Sequence, residues 1–267
     1  MIKMIVSDMD GTLLDSQKQL PKDFTEVFHL MQDANIQFVV ASGRQYYTLV
    51  DEFTHLEHNM AFAAENGGFI NWKGQSKVLN PIKAVEAKGL IEKVRQLNNV
   101  NVILCGKHGA YIEDTGSADF MNELDKYYVK HTVVEDLLSV DDEILKIAIN
   151  DFSTLDAITY PEVKREFNEV FQISKSSPIW LDVMPKGVNK GVAIEFLQEQ
   201  FGVLPSETMV FGDYLNDYEM LQKGDYSYAM DNAHPDVKAI AKFMAPSNDC
   251  AGVTAIIREQ LTECTIK

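Results

Sequence analysis

Near its amino terminus the chain reads Met4-Ile5-Val6-Ser7-Asp8-Met9-Asp10-Gly11-Thr12. A short apolar run that stops at an acid predicts a buried β-strand, and the Gly-Thr pair after the acids predicts a turn. Asp8 and Asp10 are two residues apart, so their side chains leave an extended chain on the same side. We therefore expect a first strand that delivers a pair of carboxylates to one edge of a sheet.

The residues on either side of the middle segment alternate between strand and helix patterns. Predicted strands lie at 36–41, 60–64, 208–211 and 226–230, and predicted helices lie at 24–34, 46–53, 191–200, 235–242 and 252–261. Strands that are joined through helices run parallel, with right-handed crossovers. This order predicts an α/β fold with a parallel sheet and helices on both of its faces.

The segment 83–186 follows a different pattern. It contains paired short strands with tight connections and interspersed helices, which predicts a compact α+β module. We expect this module to be inserted into the outer domain, with hinges near Pro81 and Pro185-Lys186-Gly187. The predicted organisation is an α/β core formed by 1–82 and 187–267, and an inserted domain formed by 83–186.

The composition excludes several classes of protein. Of the 267 residues, 46% are hydrophobic and 24% are charged, which is the usual mix for a globular domain. The formal net charge of -16 repels polyphosphate backbones, so nucleic acid is not an expected partner. No apolar stretch reaches the roughly 20 residues of a membrane helix, and the first residues do not resemble a signal peptide.

The cysteines indicate the compartment. Cys105, Cys250 and Cys264 are odd in number and widely spaced, which predicts neither a disulfide framework nor a zinc site. We therefore expect a cytoplasmic protein, either a monomer or a weak homo-oligomer, with no membrane partner.

Four polar segments stand at the ends of predicted strands or at the start of a predicted helix. They are Asp8-Met9-Asp10, Ser42-Gly43-Arg44, Lys186-Gly187-Val188-Asn189-Lys190-Gly191 and Gly212-Asp213-Tyr214-Leu215-Asn216-Asp217. Ligands bind at the carboxyl ends of the strands in open α/β sheets. Carboxylates without a nearby His or Cys favour Mg²⁺ over zinc, and a serine, a lysine and a helix amino end favour an anion.

Acids, a hydroxyl and a lysine at one sheet edge are the groups that phosphoryl transfer requires. The barrier falls through charge neutralisation and positioning, with a carboxylate as covalent nucleophile. Each segment alone has an ordinary structural explanation as a turn or a helix cap. Their combination predicts a site for a phosphate ester and a divalent cation.

With these motifs in this order, the chain resembles the haloacid dehalogenase superfamily of phosphatases, in particular its Cof-like branch with a type IIB cap. The resemblance spans the whole chain, and the stretches 39–47 and 65–67 look most like the bacterial sugar phosphatases. It implies a Rossmann-like core, an inserted α+β cap that reads the substrate, and Mg²⁺ as cofactor. The implied substrate is a small phosphorylated metabolite of the sugar-phosphate class.

The resemblance also implies catalytic roles. Asp8 would attack phosphorus and form an aspartyl-phosphate, and Asp10 would protonate the leaving oxygen and then activate water. Asp8, the backbone carbonyl of Asp10 and Asp213 would bind the metal. Asp217 would not ligate the metal itself but would orient Lys190 or a metal-bound water.

Further positions match the part of the family site that binds the substrate. Ser42 and Lys190 would hold the transferring phosphoryl group, and Gly43, Arg44 and Asn216 would contact phosphate or substrate. One departure is Tyr214, where relatives often carry a small residue. A residue of this size is expected at the entrance, so it leaves the size of the substrate open.

Two other activities use a similar set of residues. A phosphomutase would form the same aspartyl-phosphate and return the phosphoryl group to a sugar. A receiver-type switch also combines acids, a hydroxyl and a lysine around an acceptor Asp, but it is about half this length and carries that acceptor on a later strand. Ion-pumping relatives have Thr at the position of Asp10, whereas an Asp there favours hydrolysis.

Overall fold

The computed structural model describes residues 1–53 and 55–265, and the side chains of 263–265 are outside the description. The chain forms two compact units. The first comprises Met1–Gly43, Phe53–Lys77 and Asn189–Lys267, and the second comprises Arg44–Glu52 and Val78–Val188.

The strands are short and follow the alternation expected from the sequence. In chain order they are β1 (Met4–Ser7), β2 (Gln37–Ala41), β3 (Met60–Ala64), β4 (Phe69–Trp72), β5 (Gln75–Val78), β6 (Val100–Gly106), β7 (Gly109–Glu113), β8 (His131–Val134), β9 (Ile144–Asp151), β10 (Phe171–Ser177), β11 (Trp180–Pro185), β12 (Thr208–Gly212), β13 (Tyr226–Met230) and β14 (Phe243–Ala245).

The α-helices lie between these strands. They are α1 (Phe24–Asp33), α2 (Tyr46–Glu52), α3 (Ala84–Val94), α4 (Ala118–Leu124), α5 (Tyr160–Phe167), α6 (Lys190–Phe201), α7 (Tyr218–Leu221), α8 (Pro235–Ile240) and α9 (Gly252–Thr265).

An eight-stranded sheet forms the centre of the first unit, in the order β14-β13-β12-β1-β2-β3-β4-β5. β1 lies between β12 and β2 and runs parallel to both, with Val6 opposite Val210 and Val39. All four residues of β1 are buried, which explains its continuous apolar run. The prediction of an α/β fold with a parallel core sheet is confirmed.

One edge of this sheet differs from the sequence-based prediction. β4 runs antiparallel to β3, with Ala63 opposite Ile70, and β5 lies beside β4. The turn between β4 and β5 consists of Lys73 and Gly74, both with positive φ, and such two-residue turns connect hairpins. The two strands are four residues each, too short for a distinct periodic signal.

The second unit is an α+β fold, as the residue pattern of its sequence predicts. Its six-stranded sheet has the order β10-β11-β9-β6-β7-β8 and is antiparallel except for the β7–β8 pair. α3 and α5 pack on one face around buried residues such as Leu90, Ile147 and Val163. Phe120 and Leu124 of α4 pack on the other face.

α2 belongs to the second unit although it lies within 1–82. The side-chain amide of Gln45 donates to the carbonyl of Lys130 at 3.1 Å, and the hydroxyl of Tyr47 donates to the carbonyl of Lys107 at 3.1 Å. The ammonium of Lys130 also lies 3.9 Å from the centre of the Tyr47 ring. These contacts attach the segment directly after Ser42-Gly43 to the inserted module.

The structure describes two of the features considered from the composition, the cysteines and the apolar character of the helices. Cys105 carries a buried thiol and Cys250 an exposed one, while the side chain of Cys264 lies outside the described residues. Over 1–53 and 55–265, none of the helices has both the length and the apolar character needed to cross a bilayer.

Candidate active site

The predicted site residues of the first unit lie at the carboxyl ends of its parallel strands. Asp8 follows β1, Ser42 follows β2 and Asp213 follows β12. The backbone N–H of Asp8 donates to the carbonyl of Phe211 at 3.1 Å, which extends the β1–β12 pairing to the first acid. The sheet register therefore sets Asp8 beside the end of β12.

Lys190 enters this edge from the first turn of α6. The side chain of Asn189 caps the helix by accepting a hydrogen bond from the N–H of Val192 at 3.0 Å. The helix then begins at Lys190, whose side chain is completely buried. A local capping signal thus fixes where the lysine enters the site.

The ammonium of Lys190 lies between two acids. Its Nζ is 2.5 Å from Oδ1 of Asp8 and 2.6 Å from Oδ1 of Asp217. Oδ2 of Asp217 in turn accepts hydrogen bonds from the N–H groups of Asp213 and Tyr214 at 2.9 and 3.1 Å. Asp217 therefore joins the lysine to the backbone of the loop after β12.

Burial and charge repulsion set the protonation of the cluster. Burial, reinforced by Asp217 and Asp213, raises the pKa of Asp8 well above its ordinary value despite the nearby Lys190. Burial and Asp217 likewise raise the pKa of Asp213 to about 6, against the hydrogen bond from Thr12. Burial alone would lower the pKa of Lys190, but Asp217 and Asp8 together raise it above its usual range. The lysine therefore stays charged, while the acids repel one another.

These acids fit a divalent cation. One carboxylate oxygen from each of Asp8, Asp213 and Asp217 lies within 4.8 Å of the others. Three buried or half-buried carboxylates face a single ammonium, and a cation would relieve their repulsion. Their all-oxygen character matches Mg²⁺. The sequence had indicated Asp217 as an outer residue, and its carboxylate lies within this group.

The carboxylate of Asp10, in contrast, is not part of this cluster. Its Oδ1 accepts a hydrogen bond from Nζ of Lys18 at 2.7 Å, and its side chain is 38% exposed. Asp10 was expected to contribute its backbone carbonyl to the metal and its side chain to proton transfer. The side chain is therefore accessible to solvent.

Thr12 and Gly11 support Asp213 in ways that the sequence analysis did not identify. The hydroxyl of Thr12 donates to Oδ1 of Asp213 at 2.8 Å. A Cβ on Gly11, which has a φ of +81°, would lie 2.4 Å from Oδ2 of the same carboxylate. Gly-Thr after the acids therefore both turns the chain and orients Asp213, whereas its sequence signal indicated only a turn.

The other predicted binding residues lie in two groups. Ser42 is buried, and the loop that it shares with Gly43 reaches the side chain of Asn66, which is hydrogen-bonded to Asn216. Arg44 belongs to the second unit, where its guanidinium donates to Oε1 of Glu52 at 3.0 Å.

Comparison with known proteins agrees with the fold. A family model described as haloacid dehalogenase-like hydrolase matches residues 5–257. The Escherichia coli 5-amino-6-(5-phospho-D-ribitylamino)uracil phosphatase YbjI is 32% identical over 265 residues, which cover 97% of this chain and 96% of that protein.

Solved structures of other proteins share the fold. SMU.1108c from Streptococcus mutans superposes with a TM-score of 0.84 at 28% identity, covering 98% of this chain and 100% of that one. TM0651 from Thermotoga maritima superposes with a TM-score of 0.86 at 25% identity, covering 97% of both chains. The chain belongs to the haloacid dehalogenase-like hydrolase family, and it is a phosphatase of that family. The recognition made from the sequence is confirmed.

Proposed function

We propose that this protein is a Mg²⁺-dependent phosphatase that hydrolyses small phosphate monoesters, sugar phosphates among them, through an aspartyl-phosphate. The observation that carries the proposal is the position of Asp8. It is buried beside a permanent cation, Lys190, and shares an acidic cluster with Asp213. A nucleophilic carboxylate, a fixed positive charge and a site for a divalent ion are the components of phosphoryl transfer.

The first chemical step is assigned to Asp8. One of its oxygens forms a bond to phosphorus while the bond to the ester oxygen breaks, and the electron pair leaves with that oxygen. Asp10 is proposed to supply the proton that the leaving oxygen needs, and the partial exposure of its carboxyl group supports this role. In the second step Asp10 takes a proton from water, and the water oxygen displaces Asp8 from phosphorus to give inorganic phosphate.

Charge neutralisation is shared by the remaining residues. Lys190, Ser42, Gly43 and Asn216 are proposed to hold the phosphoryl oxygens, with Asp217 keeping Lys190 in place at 2.6 Å. Asp8, Asp213 and the backbone of Asp10 would hold Mg²⁺, which neutralises charge on the phosphoryl group and on Asp8 when bound. The cluster of acids around one lysine supports this assignment.

The substrate class is proposed from the relatives and the inserted module. The E. coli relative is named for a substrate with a phosphorylated ribityl chain, and we propose a phosphorylated sugar or sugar alcohol for this chain. The residues 83–186 would act as the cap that selects the leaving group, with Arg44 as a further substrate contact. We also propose that the protein is cytoplasmic and is a monomer or a weak homo-oligomer. Sedimentation at micromolar concentration would test the oligomeric state.

Hydrolysis with and without Mg²⁺ tests the proposal directly. A panel of sugar phosphates, sugar-alcohol phosphates and nucleotides is offered to the protein and to Asp8→Asn. We expect Mg²⁺-dependent release of phosphate, reduced on the order of 10³-fold or more in Asp8→Asn because an amide is a poor nucleophile. Near-native turnover by Asp8→Asn would refute the mechanism.

The same assays separate hydrolysis from the alternatives. A phosphomutase would convert a hexose phosphate into its isomer, whereas hydrolysis yields inorganic phosphate and free sugar. A switch protein would accumulate a long-lived phosphoaspartate on Asp8 without turnover of added esters. Either result would replace the proposed function.

A further inference from the structure

An unusual turn follows β3 at the same sheet edge as the proposed active site. Glu65, Asn66 and Gly67 have φ values of +50°, +51° and +91°. Two successive residues with side chains thus adopt the left-handed region that such residues rarely occupy. Strain of this kind persists only where surrounding contacts enforce it, and it is concentrated at functional sites.

Asn66 makes contacts with two segments that are proposed to bind phosphate. Its backbone N–H donates to the carbonyl of Ser42 at 2.9 Å. Its Oδ1 accepts a hydrogen bond from Nδ2 of Asn216 at 3.1 Å. The residue therefore connects the loop after β2 with the loop after β12.

The neighbouring glycines bring the turn close to the site. A Cβ on Gly43 would lie 3.2 Å from both Nδ2 and Oδ1 of Asn66, so the amide packs directly against this glycine. A Cβ on Gly67 would lie 2.4 Å from the carbonyl oxygen of Asn189, the residue that caps α6. The turn thus touches all three segments that carry the proposed phosphate ligands.

We propose that Asn66 is a positioning residue for the phosphate-binding groups of the active site, acting through Asn216 and Gly43. A turn that only joined β3 to β4 would need no side-chain contact with either. The amide of Asn66 instead spans both segments, which fixes the side chain of Asn216 and the backbone of Gly43 relative to each other. The inference rests on the proposed function because it assigns these groups to phosphate.

Asn66→Gly tests the inference, since glycine keeps the left-handed backbone and removes only the amide. Because phosphate-binding groups act on the bound substrate and the transition state alike, their misplacement raises KM more than it lowers kcat. We expect KM for a sugar phosphate and the inhibition constant of inorganic phosphate to rise about tenfold, with kcat within about threefold. A merely structural role would reduce the active fraction and lower kcat without changing KM.

Asn216→Ala and the double variant test the contact itself. Each single variant should raise KM, and in the double variant the rise should be smaller than the product of the two single rises, because the contact between Asn66 and Asn216 can be lost only once. Asn35→Gly is the matched control: Asn35 also has a left-handed φ of +55° but precedes β2 at the opposite edge. Its KM should be unchanged.

Two results would overturn the inference. One is an Asn66→Gly protein whose KM and phosphate affinity match the wild type, and the other is a double variant whose losses multiply. If Asn66→Gly does not fold, Asn66→Ser carries the KM test, because the shorter side chain cannot span Asn216 and Gly43. If the wild type hydrolyses no ester, the proposed function fails, and calorimetric binding of inorganic phosphate to the same variants still decides the role of Asn66.

Discussion

The Nζ atom of Lys190 lies 2.6 Å from Oδ1 of Asp217, and neither side chain is exposed to solvent. Breaking such a pair leaves a charge in a medium that solvates it poorly. Asp8 shares the same ammonium at 2.5 Å. The lysine therefore has a structural role beside its proposed catalytic one, and its removal should affect both stability and activity.

Replacement of Lys190 by methionine is expected to lower kcat/KM on the order of 10²–10³-fold, the scale for one transition-state donor. It should also lower the free energy of unfolding by about 3–5 kcal/mol, because two buried carboxylates lose their cation. Phosphate release and urea unfolding measure the two effects. Lys223→Met is the control: its partner Glu195 is exposed, so a change of about 0–1 kcal/mol is expected. Equal effects of both substitutions would contradict the assignment.

Asp213 controls the proposed metal site. In Asp213→Asn we expect the Mg²⁺ concentration for half-maximal activity to rise by at least about tenfold, since loss even of outer partners has that effect. Thr12→Val should shift it in the same direction because it removes the hydroxyl that orients Asp213, and Thr12→Ser should not. Mg²⁺ titrations of phosphate release measure this. An unchanged Mg²⁺ requirement in Asp213→Asn would exclude this residue as a ligand.

The Gly67→Ala variant would be destabilised both by its positive φ and by a close approach of its Cβ to another segment, whereas Gly74→Ala would be destabilised by its positive φ alone. Both glycines have positive φ, but a Cβ at Gly74 would meet nothing within 4 Å, whereas at Gly67 it would press on the Asn189 carbonyl. We expect about 1 kcal/mol of destabilisation at Gly74, from strain alone. The loss at Gly67 should be larger by about 1–3 kcal/mol, with reduced turnover because α6 must shift. Urea unfolding compares the two, and similar losses would show that the close approach has no consequence.

Asp151 gives a pH-dependent prediction for the second unit. Burial favours its neutral form, but hydrogen bonds from Thr154, Thr159 and Ser153 outweigh this and hold its pKa below the ordinary value. The ionised carboxylate therefore stabilises the fold above about pH 4, and that contribution is lost as the pH falls through the lowered pKa. Asp151→Asn should lower the free energy of unfolding by about 1–3 kcal/mol at pH 7.

The difference in free energy of unfolding between Asp151→Asn and the wild type should be smaller at pH 3 than at pH 7, because below the ordinary Asp pKa of about 3.9 the unfolded chain takes up a proton that the folded carboxylate resists. Urea unfolding at both pH values measures it. A difference of the same size at pH 7 and pH 3 would show that the charge of Asp151 has no part in its contribution.

Periodicity was sufficient to predict the inner strands of the core sheet because β1, β2, β3 and β12 are buried on both faces. Met4–Ser7 and Gln37–Ala41 are therefore nearly continuous apolar runs. The short strands β4 and β5 lack this signal: three of the four residues of β5 are exposed. Their antiparallel hairpin was missed for that reason.

The candidate site was predictable to the extent that its residues stand at strand ends. Asp8 and Asp213 follow strands that pair in the sheet, so topology alone brings them together. Contacts between side chains that are far apart in the sequence leave no such signal. The contact of Asn66 with Asn216 spans 150 residues, and Asn-Gly after a strand indicates only a turn.

The central place of β1 also has a consequence for synthesis. This strand ends at Ser7, whereas one of its two neighbours, β12, begins only at Thr208, so β1 leaves the ribosome long before β12. Until β12 is synthesised, one side of β1 lacks its native hydrogen-bonding partner, and until α6 is synthesised, Asp8 lacks the ammonium of Lys190. The module encoded between β1 and β12 forms its own sheet. A nascent chain can therefore fold that module before β12 is available to pair with β1.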